Sequence, residues 1–379
     1  MVAAALMASA GATPVAAEHV ARGEIDWACG FGGDHPDDCG IDPVGGGAAV
    51  QSEGEPRWTD DVWIDPTEDV LGVSIQGTAR AVPVRMLDAH EIVNARIAGL
   101  DVAITYCPLC GSGVTFDRNV IVDGTEHRMA FTASGYLFQS DLVMWDDQTG
   151  LLWNQITGTA IAVLDDGRVS TDHPEVKLAR IPTILSSWEA WKDDHPASLL
   201  LQPVRSGYGE VYRGYGESAS RCGLGSCGDT GDLHPKEFVV GVEHGDGVSF
   251  GRFAVQAAGG AAFHDGVVVA VDSGGAHQTW LADGHTFEPD ASGLWVDESG
   301  ALWDLRQGTR VDDGATLPPT DGLLMFWFAW QEHHPETSLW TPEEGPSGAL
   351  EVDNGRLPGF TIPIVAGLLL VGALLWRRR

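Results

Sequence analysis

The chain carries the same text twice, and that repetition limits its fold more than any single motif does. Leu142–Gly158, LVMWDDQTGLLWNQITG, returns as Ser292–Gly308, SGLWVDESGALWDLRQG. Trp145, Asp147, Gly150, Leu152, Trp153 and Gly158 are answered by Trp295, Asp297, Gly300, Leu302, Trp303 and Gly308. Ser187–Leu201, SWEAWKDDHPASLLL, returns as Phe326–Trp340, FWFAWQEHHPETSLW, and VLGVSIQG at Val70–Gly77 is answered by VVGVEHGDG at Val239–Gly247. The order is kept, so the text reads as a tandem duplication in which both copies adopt one unit. The copies are placed at 57–204 and 235–341, with a Cys- and Gly-rich segment at 18–56 and a Gly- and Tyr-rich connector at 205–234.

Each copy reads as strands with two helices. DVAITYC alternates, placing Val102, Ile104 and Tyr106 on one face of a strand. LVMWDDQTGLLW reads as a hairpin whose loop carries Gly150. VPVRMLDAHEIVNARI predicts one helix from Pro83 onward, with His90 and Asn94 one turn apart on it, and PTILSSWEAWKDDHP predicts a second from Pro182 that stops before Pro196. The repeated tryptophans are expected to pack helix on sheet. The fold class expected is α+β and β-rich: two tandem homologous domains, each of antiparallel strands with about two packing helices, plus a C-terminal transmembrane helix.

The copies differ at one place. Gly113–Phe116 is answered by Gly284–Phe287, but copy two lacks a stretch matching roughly Arg118 to Val143 and has HQTWL in place of the Cys-x-x-Cys. Chemistry is therefore expected in copy one, at Cys107-Pro108-Leu109-Cys110 between two strands. Proline fixes one φ angle there and Gly111 permits a turn, the form of a metal-binding knuckle whose backbone N–H groups favour thiolate. A structural zinc needs four ligands and this motif supplies two. His90 is the expected third ligand, with Glu91, Asn94, His127, Ser134, Ser140, Asp141, Cys222 and Cys227 as further candidates. Thiolate and imidazole suit zinc or copper(I), not calcium or magnesium.

Two other readings stay open. Cys107–Cys110 is a disulfide in a non-catalytic binding or structural module without a cofactor, or it cycles as an extracytoplasmic thiol oxidoreductase. The chain has no Gly-rich phosphate loop, no G-x-S-x-G elbow and no H-E-x-x-H, so its sequence does not decide whether it is an enzyme. Ser134, Ser140 and Asp141 lie near one another without a spacing that marks a nucleophile.

Charge and the two ends speak to location. Asp and Glu number 54 against 22 Lys and Arg, and a net charge of −32 excludes nucleic acid as a partner. With 44% hydrophobic residues and 14 tryptophans a packed core is expected rather than disorder. The lysines are Lys177, Lys192 and Lys236, an acid-rich, lysine-poor surface like that of proteins from high salt. Residues 1–17 resemble a secretory signal ending Val15-Ala16-Ala17. Residues 360–376 carry no charge and precede Arg377-Arg378-Arg379; as a helix they would span about 26 Å, enough for a bilayer core, with 342–359 as the tether. Pro358-Gly359-Phe360 and this run resemble the PGF-type sorting signal of haloarchaeal surface proteins, which implies processing by an archaeosortase and a lipid-linked product. Either way an extracytoplasmic, membrane-anchored body is expected, with membrane lipid as its partner. Export favours disulfides at Cys29/Cys39 and Cys222/Cys227.

Four segments carry a wider resemblance: VLGVSIQGTARAVPVRMLDAHEIVN, VAITYCPLCGSGVTFDR, SGYLFQSDLVMWDDQTGLLWNQITG and LHPKEFVVGV. Together they resemble domain of unknown function family 3179 from about Val70 to Trp340. The resemblance implies that His90–Asn94, Cys107–Cys110, Ser134-Gly135 and Ser140-Asp141 are signature positions, and it implies no activity. This chain departs from the family pattern at Val82, where tyrosine is usual, and at Gln139, where asparagine is usual.

Overall fold

A computed structural model describes residues 25–27, 56–146, 148–165, 168–203, 212, 214–223, 225–231 and 233–342. The expected signal segment, Cys29, Cys39, most of the tether and the apolar C-terminal run lie outside the described residues. Among those described, no helix is long and apolar enough to cross a membrane.

The described chain is β-rich, with mostly antiparallel sheets and four short helices: Val84–His90, Trp188–Asp194, Arg252–Ala257 and Trp327–His333. One sheet runs in the order Thr183–Ser187, Asp69–Ile75, Thr78–Pro83, Leu199–Leu201 and Trp58–Thr59. Its strands pair antiparallel except Leu199–Leu201, which runs parallel to Thr78–Pro83. A second sheet runs Gly322–Phe326, Phe238–Val242, Val248–Gly251, Ser338–Trp340, again with its last pair parallel.

Glycine at the centre of each sheet explains how a tryptophan docks there. A Cβ on Gly72 would stand 2.3 Å from the Trp191 ring, and one on Gly241 2.3 Å from Trp330. Each indole N–H then finds a hydroxyl, Trp191 Nε1 donating to Ser198 Oγ and Trp330 Nε1 to Thr337 Oγ1, both at 2.8 Å. These rings are core, packed helix on sheet.

Three details differ from expectation. The helix expected from Pro83 lasts only to His90, and Ile92–Ile97 is a strand paired with Leu100–Cys107. Alternation of IVNARI with two β-branched residues at its start outweighs the helical spacing. Asn94 is therefore on a strand, not one helical turn from His90. The second helix begins at Trp188, not Pro182; Thr183–Ser187 is a strand, and the Ser187 hydroxyl caps the helix by accepting from Ala190 N–H. In the repeated hairpins, the carboxylate that accepts from the tryptophan is Asp146 for Trp153 (2.8 Å) and Asp297 for Trp303 (2.9 Å).

The two segments also share their interior. One apolar cluster joins Cys107, Phe116, Phe131 and Trp153 to Val239, Phe326 and Trp330; another joins Leu71, Met86 and Ile104 to Val240, Phe250 and Val269. The described residues belong to one compact unit, so the two segments are not separate bodies.

Candidate metal centre

Leu100–Cys107 and Ser112–Asp117 form a hairpin in which Cys107 faces Ser112. At its tip the Cys110 and Gly111 N–H groups donate to the Cys107 carbonyl, at 3.2 and 2.8 Å. Gly111 has φ 64°, and a Cβ there would come within 3.0 Å of Phe238 and 3.1 Å of Phe326, so both backbone and space demand glycine. The tip is held from outside by Phe326 N–H donating to the Cys110 carbonyl and by the Tyr215 hydroxyl donating to the Leu109 carbonyl, each at 2.8 Å.

Asp141 reaches this tip from another sheet. Phe131–Phe138 and Asp141–Asp146 pair antiparallel, joined by Gln139 and Ser140, both at positive φ. That tight turn points the Ser140 carbonyl at the tip, where it accepts from Cys110 Sγ at 3.0 Å. Cys107 Sγ, Cys110 Sγ and an Asp141 carboxyl oxygen all lie within 4.8 Å of one another, and all three residues are buried. Behind them, Ser112 Oγ contacts Asp141 Oδ1 at 3.3 Å and Gln155 Oε1 at 2.9 Å, and Gln155 Nε2 donates to Thr105 Oγ1 at 3.0 Å. Asp141 Oδ2 is buried without a hydrogen-bond partner.

Desolvation dominates the electrostatics. Burial pushes the Cys107 thiol up, partly offset by hydrogen bonds from the Cys110 thiol and backbone, and holds the Cys110 thiol well above its usual range. Burial raises Asp141 to about 7. It raises Glu91 to about 8, with the Asp141 and Asp88 carboxyls adding to the effect, and Asp88 to about 7, with Asp69 adding. Without a cation the centre is a set of groups that favour their protonated forms. Two sulfurs and an orphaned carboxyl oxygen fit a zinc or copper(I) ion, which would displace those protons and give Asp141 Oδ2 its missing partner.

The other candidates fall elsewhere. His90 ends its helix and is buried, but it is not in the group of three. The side-chain amide of Asn94 bonds the Phe131 backbone, donating to O at 2.8 Å and accepting from N–H at 3.1 Å. The Ser134 hydroxyl donates to the Val143 carbonyl and accepts from Tyr136 N–H. His127 lies in the outlying hairpin Asn119–Arg128. Cys222 and Cys227 are joined in a disulfide, as expected, and Cys107 and Cys110 are free. Asp141 was among the further candidates read from the sequence, beside Ser134 and Ser140; Ser112 and Gln155 carried no signal at all.

The second segment has a similar hairpin with a shorter turn and no thiols. Val267–Val271 and His277–Leu281 form the corresponding hairpin, so HQTWL is the strand after the turn rather than the turn itself. Phe116 is therefore matched by Trp280 and not, as the sequence comparison expects, by Phe287: a Cβ on Gly158 would meet Phe116 at 2.6 Å, and one on Gly308 would meet Trp280 at 2.5 Å. Asp272 then stands where Cys107 does, with Oδ1 accepting from Gly274 N–H at 2.8 Å and Ala276 N–H at 2.9 Å. The Gly274 carbonyl accepts from Ser187 N–H at 3.2 Å, as the Cys110 carbonyl accepts from Phe326 N–H.

No curated protein and no solved structure matches the chain. A family model described as "Protein of unknown function (DUF3179)" matches residues 51–337, most of the sequence. The chain therefore belongs to the DUF3179 family.

Proposed function

We propose that the protein is an exported, surface-anchored metalloprotein, built by tandem duplication, whose first copy holds a zinc ion through Cys107, Cys110 and Asp141. The observation that carries this reading is the buried Asp141 carboxyl: one of its oxygens lies within 4.8 Å of two buried sulfurs, and its Oδ2 has no hydrogen-bond partner. A buried polar atom without a partner costs about 1–3 kcal/mol, and a bound cation removes that cost. The carboxyl oxygen favours zinc over copper(I) as the resident ion. Export is supported by the two terminal patterns and by the Cys222–Cys227 disulfide, which suits an oxidising compartment. The anchor would be the apolar C-terminal run or, after archaeosortase processing, a lipid; the acidic, lysine-poor composition suits a salty exterior.

The two other readings have less support. A Cys107–Cys110 disulfide is at odds with the free thiols, and redox cycling is at odds with sulfurs that are buried and held in the thiol form. Metal analysis of the full chain tests the proposal. About one zinc per chain is expected, with its loss in both Cys107→Ser/Cys110→Ser and Asp141→Asn. Absence of zinc and copper from protein whose two thiols titrate as free would overturn it.

A further inference from the structure

The connector between the two segments packs on the thiol turn. Tyr215 is buried, and its hydroxyl makes two bonds at 2.8 Å: it donates to the Leu109 carbonyl inside the Cys-x-x-Cys and accepts from Gly223 N–H. Gly223 has φ 55°, and a Cβ on it would stand 2.8 Å from Ser140 Oγ. Ser140 is the residue whose carbonyl accepts from Cys110 Sγ. Cys107, Cys110, Tyr215 and Cys222 share one apolar cluster. Arg221, Ser226 and Gly228 are exposed while Cys222 and Gly223 are buried, so the connector turns one side to the centre and the other to solvent.

Two devices hold it there. Lys236 is buried; its ammonium donates to the Ser218 carbonyl at 2.7 Å and to the Arg221 carbonyl, and it lies 4.2 Å from the Tyr215 ring centroid. The other device is the Cys222–Cys227 disulfide, which ties strand Arg221–Cys222 to strand Gly225–Ser226. Its cysteines are only 5 apart in sequence, and so short a loop restricts the unfolded chain little. The cross-link acts locally, holding Gly223 against Ser140.

We infer that the connector around Tyr215, Cys222 and Gly223 is a cover over the thiol centre, locked by the Cys222–Cys227 disulfide and opened by a dithiol reductant. Cys227 is half-buried and Cys222 buried, so a reductant's thiolate meets Cys227 Sγ first. A bond forms from the reductant's sulfur to Cys227, the Cys222–Cys227 bond breaks, and Cys222 leaves as thiolate and takes up a proton. The reductant's second thiol then displaces Cys227, so the chain gains two thiols and the dithiol becomes a disulfide. Gly223 loses its tether and the Cys107 and Cys110 sulfurs meet solvent. The cover encloses those sulfurs whether or not they hold an ion, so this inference stands apart from the zinc reading.

Maleimide alkylation of Cys107 and Cys110 on the metal-free full chain, read cysteine by cysteine by mass spectrometry, tests it. Wild type reduced briefly with dithiothreitol and desalted, and Cys222→Ser/Cys227→Ser, should each react at least about tenfold faster than the oxidised chain, through local opening. Tyr215→Phe keeps the disulfide, loses both hydrogen bonds of the hydroxyl and should also react faster. In all three the rate should stay nearly flat at low urea, because only the cover opens. A rate that climbs with urea as steeply as global unfolding would place the exposure in whole-chain unfolding and overturn the cover. Oxidised wild-type rates in the reduced chain and in the double-serine variant would overturn it as well. Zinc content of the oxidised chain is measured separately, and its absence counts against the metal reading alone.

Discussion

Asp141 ties the chemistry of the centre to the stability of the fold. Its carboxyl, with those of Asp88 and Glu91, titrates at about 7, 7 and 8 in the folded protein, against about 4 in an unfolded chain. A raised carboxyl pKa stabilises the fold fully below about pH 4, and that contribution is lost as pH rises through the folded value. Buried histidines work in the opposite sense: His333 falls to about 4, and His277 and His334 are also lowered, so they favour the fold as pH rises towards 6.5. Above about pH 6.5 the histidines are spent and the three carboxyls dominate, opposed only towards pH 8 by Lys236, which burial lowers to about 8. The metal-free protein should therefore lose stability between about pH 6.5 and 8, read as a falling urea midpoint. Asp141→Asn should flatten that slope and weaken zinc more than about a hundredfold, beyond the usual loss for an outer-shell partner. A metal-free midpoint that rises across this window would contradict the buried, proton-holding centre.

At the level of elements, the docking of each tryptophan on its glycine is the joint that sets helix against sheet. With the ring 2.3 Å from the built Cβ in both places, Gly72→Ala and Gly241→Ala should each destabilise by about 1–3 kcal/mol through overpacking. Equal losses, measured as shifts in urea midpoint at constant slope, are expected because the two joints have the same geometry. This part of the fold was legible in the sequence, since Trp191, His195, Trp330 and His334 recur with their spacing intact. The helix ending at His90 was not legible, because no glycine or proline marks the break; Glu91 takes the positive φ itself. The centre was half legible. Cys107 and Cys110 announce themselves by their local spacing, whereas Asp141 arrives through the Phe138–Asp141 register of a different sheet. His90 has the right chemistry and lies close in sequence to Glu91, but helix geometry keeps it out of the group that meets the sulfurs.

For the whole molecule, the second segment is part of the centre although it carries none of its ligands. Phe238 and Phe326 fill the space beside Gly111, Phe326 N–H holds the Cys110 carbonyl, and Gln139 donates to the Glu332 carbonyl at 3.0 Å. Arg180 pairs with Glu243 at 2.9 Å, and the apolar clusters run through both segments. Cutting the chain after the first segment would strip the thiol hairpin of one wall and expose Val239-facing core to water. At about 25 cal/mol per Å² of apolar surface, a loss of this kind exceeds the margin of an ordinary domain once a few large side chains are uncovered. A fragment covering 57–204 should therefore fail to fold cooperatively, and Cys107 and Cys110 in it should react with a maleimide at the rate of an unfolded chain. The intact protein, its sulfurs buried, should react slower by at least a hundredfold. Slow alkylation and a cooperative melt from the isolated fragment would mean that the first segment is a self-sufficient domain, and that the contacts from Phe238 and Phe326 only decorate a centre that the first segment builds alone.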